Sequence, residues 1–183
     1  MRVIAGRLGG RRIDAPAGLE TRPTSDRVRE ALFSRLGYVP GAKVLDLYAG
    51  TGALGIEAIS RGATRAVFIE SARPAVTVLR ENLEALGLTA DTQVFAQPIT
   101  SALRFLKALG PFDLVFLDPP YAQLPEVAPI VAALLKTDAL APAARVVVEH
   151  AKKDRAPLLP GLDEPDTRLY GTTAVSLYQR AEG

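Results

Sequence analysis

Val44-Leu45-Asp46-Leu47-Tyr48-Ala49-Gly50-Thr51-Gly52-Ala53-Leu54-Gly55 holds the clue to the fold. Its first half is an apolar run of strand length. Its second half is a glycine-rich turn that opens an amphipathic helix over 53–60, closed by Gly62. A strand feeding a helix through glycines is the start of a βαβ unit, and the chain repeats that alternation outward from here. Strands are predicted at 44–48, 66–70, 93–95, 112–118 and 144–149. Helices are predicted at 72–86, 101–109 and 126–136, the last entered from Pro125. Residues 168–170 and 174–178, joined through Gly171, read as an antiparallel pair. Near-continuous apolar strands between amphipathic helices predict an α/β fold. Its sheet is seven-stranded and mostly parallel, covered on both faces, with right-handed crossovers and a C-terminal antiparallel hairpin. Residues 152–166, with three prolines and mixed charge, form the loosest stretch.

The first 40 residues differ in character. Val3-Ile4-Ala5 and Arg12-Ile13-Asp14 flank Gly6-Arg7-Leu8-Gly9-Gly10, a short β-hairpin with a glycine-rich turn. Thr24 or Ser25 caps a helix running to about Leu36, with Val28, Ala31, Leu32 and Leu36 as its apolar stripe and Arg29 or Glu30 toward solvent. Residues 1–35 carry eight arginines against four carboxylates, while the whole chain is only +2. Such asymmetry suits a cationic arm facing a polyanion. Arg2, Arg7, Arg11, Arg12, Arg22 and Arg27 are the candidate nucleic-acid contacts.

With 183 residues, about half of them apolar, the chain can bury a substantial core. The absence of cysteine excludes disulfides and thiolate metal sites, and one histidine cannot build a metal cluster, so no metal is expected. No apolar run reaches membrane-spanning length, and the N-terminus has no signal-like segment, so the expectation is a cytoplasmic, monomeric enzyme with no membrane partner.

Three features turn the glycine loop into a cofactor site. Gly50 and Gly52 let the backbone approach a ligand. Glu70 ends the second strand twenty positions after Gly50, where a carboxylate accepts hydrogen bonds from both ribose hydroxyls. Asp46, at the end of the first strand, is awkward beside an anionic pyrophosphate but suits an ammonium group. S-adenosylmethionine has both a ribose diol and a cationic aminoacyl end, and is favoured over a nicotinamide or flavin nucleotide. Tyr48, Ala49 and Ser71 flank these positions and complete the candidate set.

Asp118-Pro119-Pro120-Tyr121 follows the fourth strand directly. Proline pairs can merely end a strand. In a doubly wound sheet, however, this strand tip faces the ligand crevice beside the first. A base amino nitrogen is a weak nucleophile because its lone pair is delocalised. Asp118 and the Pro119 carbonyl can accept its two N–H bonds, orient the lone pair and offset developing charge. Tyr121 can stack on the base, and the prolines hold the backbone rigid.

The Asp-Pro-Pro-Tyr tetrapeptide resembles that of amino-methyltransferases acting on adenine, guanine or glutamine. Arg2-Val3-Ile4-Ala5-Gly6-Arg7, the run from Arg22-Pro23-Thr24-Ser25-Asp26-Arg27 to Phe33, the stretch from Val44 to Ala58, and Ser60-Arg61-Gly62-Ala63 resemble a narrower family. These are the bacterial 16S rRNA guanine-N2 methyltransferases of the RsmD type. The resemblance implies a Rossmann-like class I methyltransferase domain at 41–183 with a dependent RNA-binding extension at 1–40. It also implies cofactor contacts at Asp46, Gly50, Gly52 and Glu70, an amino-group site at 118–121, and ribosomal RNA or a small-subunit assembly particle as partner. Related enzymes often place an acid or amide after the third strand, against the adenine. Here the stretch from Ala96 to Ser101 has no acid, and Gln97 is the candidate substitute. The alternatives are a DNA adenine-N6 methyltransferase, disfavoured by the lack of room for a target-recognition domain, a protein glutamine methyltransferase, and a non-catalytic RNA-binding module.

Overall fold

The computed structural model describes residues 1–16 and 25–180. Its sheet is built from β1 (Lys43–Leu47), β2 (Arg65–Glu70), β3 (Thr92–Ala96), β4 (Phe112–Leu117), β5 (Leu140–Ala151), β6 (Asp166–Tyr170) and β7 (Thr173–Gln179). The helices are α1 (Asp26–Leu36), α2 (Ala53–Ser60), α3 (Arg73–Ala85), α4 (Ile99–Leu109) and α5 (Val127–Lys136). A short 3-10 turn, Tyr121–Glu126, precedes α5. Strand order is β3-β2-β1-β4-β5-β7-β6. The first five strands are parallel, while β7 pairs antiparallel with both β5 and β6. The order reverses between β1 and β4. Their C-terminal tips therefore flank the switch-point crevice where doubly wound sheets bind ligands. This is a Rossmann-like fold.

β5 is longer than its sequence suggests. Pro142 reads as a strand break, but Ala143 takes φ 57 and the pairing with β4 shifts between Phe112 and Leu114. The strand passes the proline through a bulge rather than starting after it.

Alternation along the strands divides the core in two. Val44, Phe68, Phe116, Val147 and Val175 face α1, α2 and α3, while Leu45, Ile69, Leu117, Val146 and Val148 face α4 and α5. The N-terminal extension belongs to the first layer: Val3, Leu8, Ile13, Leu32 and Phe33 are buried in the same cluster. Its hairpin is looser than expected, with one bridge, Arg2 to Arg12, rather than extended strands. It is held instead by side chains of the main fold. Glu57 on α2 accepts from the Ile4 and Ala5 amides at 2.7 and 3.1 Å. Ser60 Oγ accepts from the Leu8 amide at 3.0 Å, and Asn82 on α3 accepts from the Asp14 amide at 2.9 Å. Gly6, at φ 81, lies so close to α2 that a Cβ there would stand 1.9 Å from the Ser60 carbonyl oxygen.

Arg29 corrects the expectation for α1. Ser25 caps this helix from its hydroxyl, accepting from the Val28 amide at 3.3 Å. Thr24, the other candidate cap, lies outside the described residues. The buried stripe is wider than the one read from sequence: Arg29 and Phe33 join Val28, Leu32 and Leu36, and Ala31 lies at its margin. Arg29 is wholly buried, not solvent-facing. A buried charge needs partners, and its guanidinium has them in the Arg2 carbonyl, the Asp26 carboxylate at 2.9 Å and the Met1 sulfur at 3.2 Å. The arginine thereby ties α1 to the start of the hairpin. Among the described residues, no helix is long and apolar enough to cross a membrane.

Candidate active site

The turn after β1 is strained in the way a binding loop requires. Tyr48, a non-glycine residue, has φ 61, and Gly50 and Gly52 have φ 54 and 81. Gly50 donates its amide to Glu70 Oε2 at 2.8 Å, and Glu70 Oε1 accepts from the Ser71 and Ala72 amides, each at 2.8 Å. One carboxylate thus joins the β1 turn to the start of α3, where it also meets the positive end of that helix. Gly52 faces the other way. Its amide donates to the Ala49 carbonyl at 2.7 Å, and a Cβ there would stand 2.3 Å from Leu79 Cδ1. Gly52 shapes the loop from behind and is not among the residues lining the cavity.

Asp46 is 2% exposed and accepts from the Gly55 amide at 2.9 Å, so the first turn of α2 is the partner that its burial requires. Burial pushes its carboxyl up to about 8. The Gly55 hydrogen bond opposes that shift and the nearby charge of Glu70 adds to it. Tyr48 donates its hydroxyl to Glu126 at 3.4 Å, and is pushed up to about 12 by burial and then by the Glu126 charge.

These groups open into a cavity of about 750 Å³ at the C-terminal edge of the sheet. Of the candidate cofactor residues, Asp46, Tyr48, Ala49, Gly50, Glu70, Ser71 and Gln97 line it. So do Asp118, Pro119, Pro120 and Tyr121 from the opposite strand tip. Tyr121 is half exposed. Gln97 Nε2 is buried without a hydrogen-bond partner among the described residues.

The wall is acidic. Asp46, Glu70, Asp118, Glu126 and Glu149 line it, and among the described residues no lysine, arginine or histidine does. The carboxylates of this wall oppose a pyrophosphate and favour an ammonium, a sulfonium or a base amine. No group of described residues has the composition to hold a metal ion.

Of the arginines singled out in the sequence, Arg2, Arg7, Arg11, Arg12 and Arg27 are exposed. Arg22 lies outside the described residues. Arg2 and Arg12 stand at the base of the hairpin, beside Met1, which lines the cavity. Arg7 lies in the hairpin turn and pairs with Asp91 at 3.5 Å, while Arg11, whose carbonyl accepts from the Val3 amide beside the Arg2–Arg12 bridge, donates to the Ala85 carbonyl at 3.1 Å. The latter two face the C-terminal end of α3, on the side of the molecule away from the cavity.

Sequence reasoning missed Glu126 and Glu149 in the cavity, and Glu57 and Asn82 beneath the hairpin. Glu149 was within reach, because it ends a predicted strand just as Asp118 does. Glu57 and Asn82 carried no signal, since on a helix each reads as an ordinary polar position.

Fold and relatives together define a methyltransferase of the Rossmann-like class. A family model described as Conserved hypothetical protein 95 matches residues 1–179, and the chain belongs to that family, the RsmD family. The putative rRNA methyltransferase YlbH of Bacillus subtilis is 37% identical over 184 residues, covering 98% of this chain and 99% of that protein. Ribosomal RNA small subunit methyltransferase D of Escherichia coli is 36% identical over 185 residues, covering 98% and 90%. Among solved structures, the putative methyltransferase yhhF of Escherichia coli superposes with a TM-score of 0.85 at 33% identity, covering 100% of this chain and 99% of that one.

Proposed function

We propose that this protein transfers a methyl group from S-adenosylmethionine to the exocyclic N2 of a guanine in small-subunit ribosomal RNA. The observation that carries this reading is the shared cavity: Glu70 and Asp46 on one side, Asp118 on the other, in a wall that no lysine, arginine or histidine lines among the described residues. The names of the relatives support ribosomal RNA as the substrate class.

The residues present fit the donor. Glu70 would take the ribose hydroxyls, and Asp46 with the amides of the β1 turn would take the aminoacyl end. Gln97, which lines the cavity, offers its amide side chain to the adenine edge. When bound, S-adenosylmethionine supplies an electrophilic methyl group.

The rest of the work falls to the chain. Tyr121 stacks on a base turned out of its helix or loop. Asp118 and the Pro119 carbonyl accept the two amine N–H bonds, and the two prolines keep that carbonyl fixed. Holding both hydrogens in the acceptor plane directs the nitrogen lone pair out of that plane, toward the donor side of the cavity. The Asp118 carboxylate offsets positive charge as the nitrogen is alkylated, and the surplus proton leaves through it or to water. Arg2, Arg12 and Arg27, all exposed, hold phosphates of the RNA, while Arg7 and Arg11 extend the cationic surface along the hairpin.

The test is radiolabelled transfer from the methyl donor to three acceptors: small-subunit RNA or particles, duplex DNA, and a glutamine-containing protein acceptor. Label in the RNA alone supports the reading. Label in DNA or protein alone overturns it.

A further inference from the structure

Glu149 enters the cavity for a reason that holding the donor does not supply. β4 and β5 run parallel, with Leu117 opposite Val148. The next residues, Asp118 just past the end of β4 and Glu149 near the end of β5, therefore stand side by side. Alternation turns both away from the face of Leu117 and Val148 and onto the face of Phe116 and Val147. Both line the cavity, and Glu149 is only 8% exposed. The cavity thus presents a second, largely desolvated acceptor beside the one assigned to the target amine.

We infer that Glu149 selects guanine over adenine by accepting the N1–H that lies next to the amine held by Asp118. This deepens the proposed function and rests on it. Asp118 alone cannot make the choice, because both bases offer an exocyclic amine and the tetrapeptide around it is common to enzymes for either. The ring position beside the amine differs: guanine carries a donor, N1–H, and adenine a bare acceptor nitrogen. A second carboxylate at that position completes guanine's donor pair. Against adenine it sets two acceptors face to face in a poorly solvated wall, which repels that base. Sites that hydrogen-bond a substrate N–H reject the analogue lacking it by on the order of 10⁴.

The experiment uses the full chain, S-adenosylmethionine, and small-subunit particles assembled on RNA carrying either guanine or 2-aminopurine at the mapped target. 2-Aminopurine keeps the amine but has an acceptor at N1. The wild-type protein is expected to favour guanine by at least about 100-fold in kcat/KM. Glu149→Gln, whose amide donates to an acceptor N1, should narrow that ratio at least about tenfold, with the donor's Kd within about twofold of wild type. Glu149→Asp, which keeps an acceptor, should retain the preference at a lower rate. Equal use of the two bases by the wild-type protein overturns the inference without any variant, as does an unchanged ratio in Glu149→Gln. Failure of the wild-type protein to methylate any RNA guanine overturns the proposed function and this inference with it.

Discussion

Glu70 Oε2 accepts the Gly50 amide at 2.8 Å while its Oε1 accepts those of Ser71 and Ala72, so one side chain closes the donor cleft from both directions. Glu70→Ala removes the acceptor for three amides and, on the proposed reading, for the ribose diol. Calorimetric titration of S-adenosylmethionine should show affinity falling by roughly 30- to 100-fold, as losing a charged hydrogen-bond acceptor implies. An unchanged Kd would make Glu70 a turn-former only.

Asp46 sets stability against binding. Its carboxyl is raised from 3.8 to about 8 in the folded chain, chiefly by burial. A raised acid favours the fold fully below the unfolded value, and that contribution fades as pH climbs through the folded one. The ligand-free protein should therefore lose thermal stability between about pH 4 and 8. Asp46→Asn, which keeps the acceptor for Gly55, should flatten that slope and raise Tm at pH 8. An ammonium group beside Asp46 would favour its ionised form, so the same substitution should weaken donor binding. Calorimetry of the wild-type protein near pH 7 should register proton release when the donor binds. Heats independent of the buffer's ionisation enthalpy would argue against contact between Asp46 and the cationic end.

Asp118 is assigned to the acceptor alone. Asp118→Ala should abolish methyl transfer while leaving the donor's Kd within about threefold of wild type. Undiminished turnover would remove Asp118 from the chemistry.

The arginines separate by position. Replacing Arg2 and Arg27 by Ala should weaken RNA binding and reduce the slope of log K against log salt by about 1.4, two phosphate contacts on a single strand. Arg7 and Arg11, engaged by Asp91 and the Ala85 carbonyl, should show a smaller change when replaced together. Equal slopes for the two pairs would spread the RNA along the whole hairpin.

Much of this molecule can be read from local pattern. The Asp46–Gly55 stretch, Glu70 and the Asp118 tetrapeptide announce themselves because strand tips beside glycines and prolines have few other uses, and all three meet in one cavity. What local pattern cannot carry is contact between distant segments. Arg29 sits on a helix where an arginine would ordinarily face water. Only the return of the chain over α1 supplies the Arg2 carbonyl and the Met1 sulfur that let it be buried. Glu57 and Asn82 are likewise fixed by a hairpin that lies more than fifty residues away in sequence. The bulge at Ala143 hides the true start of β5, because a proline in mid-strand reads as a boundary until the neighbouring register is known.

The central claim is a methyl group on guanine N2 in small-subunit RNA. It is tested most directly by mass spectrometry of nucleosides from that RNA, isolated from cells with and without this protein and after treatment of the deficient RNA or particle with the purified enzyme. The account predicts N2-methylguanosine missing from the deficient cells and restored in vitro by the wild-type protein but not by Asp118→Ala. Unchanged N2-methylguanosine, with N6-methyladenine lost from DNA instead, would contradict it.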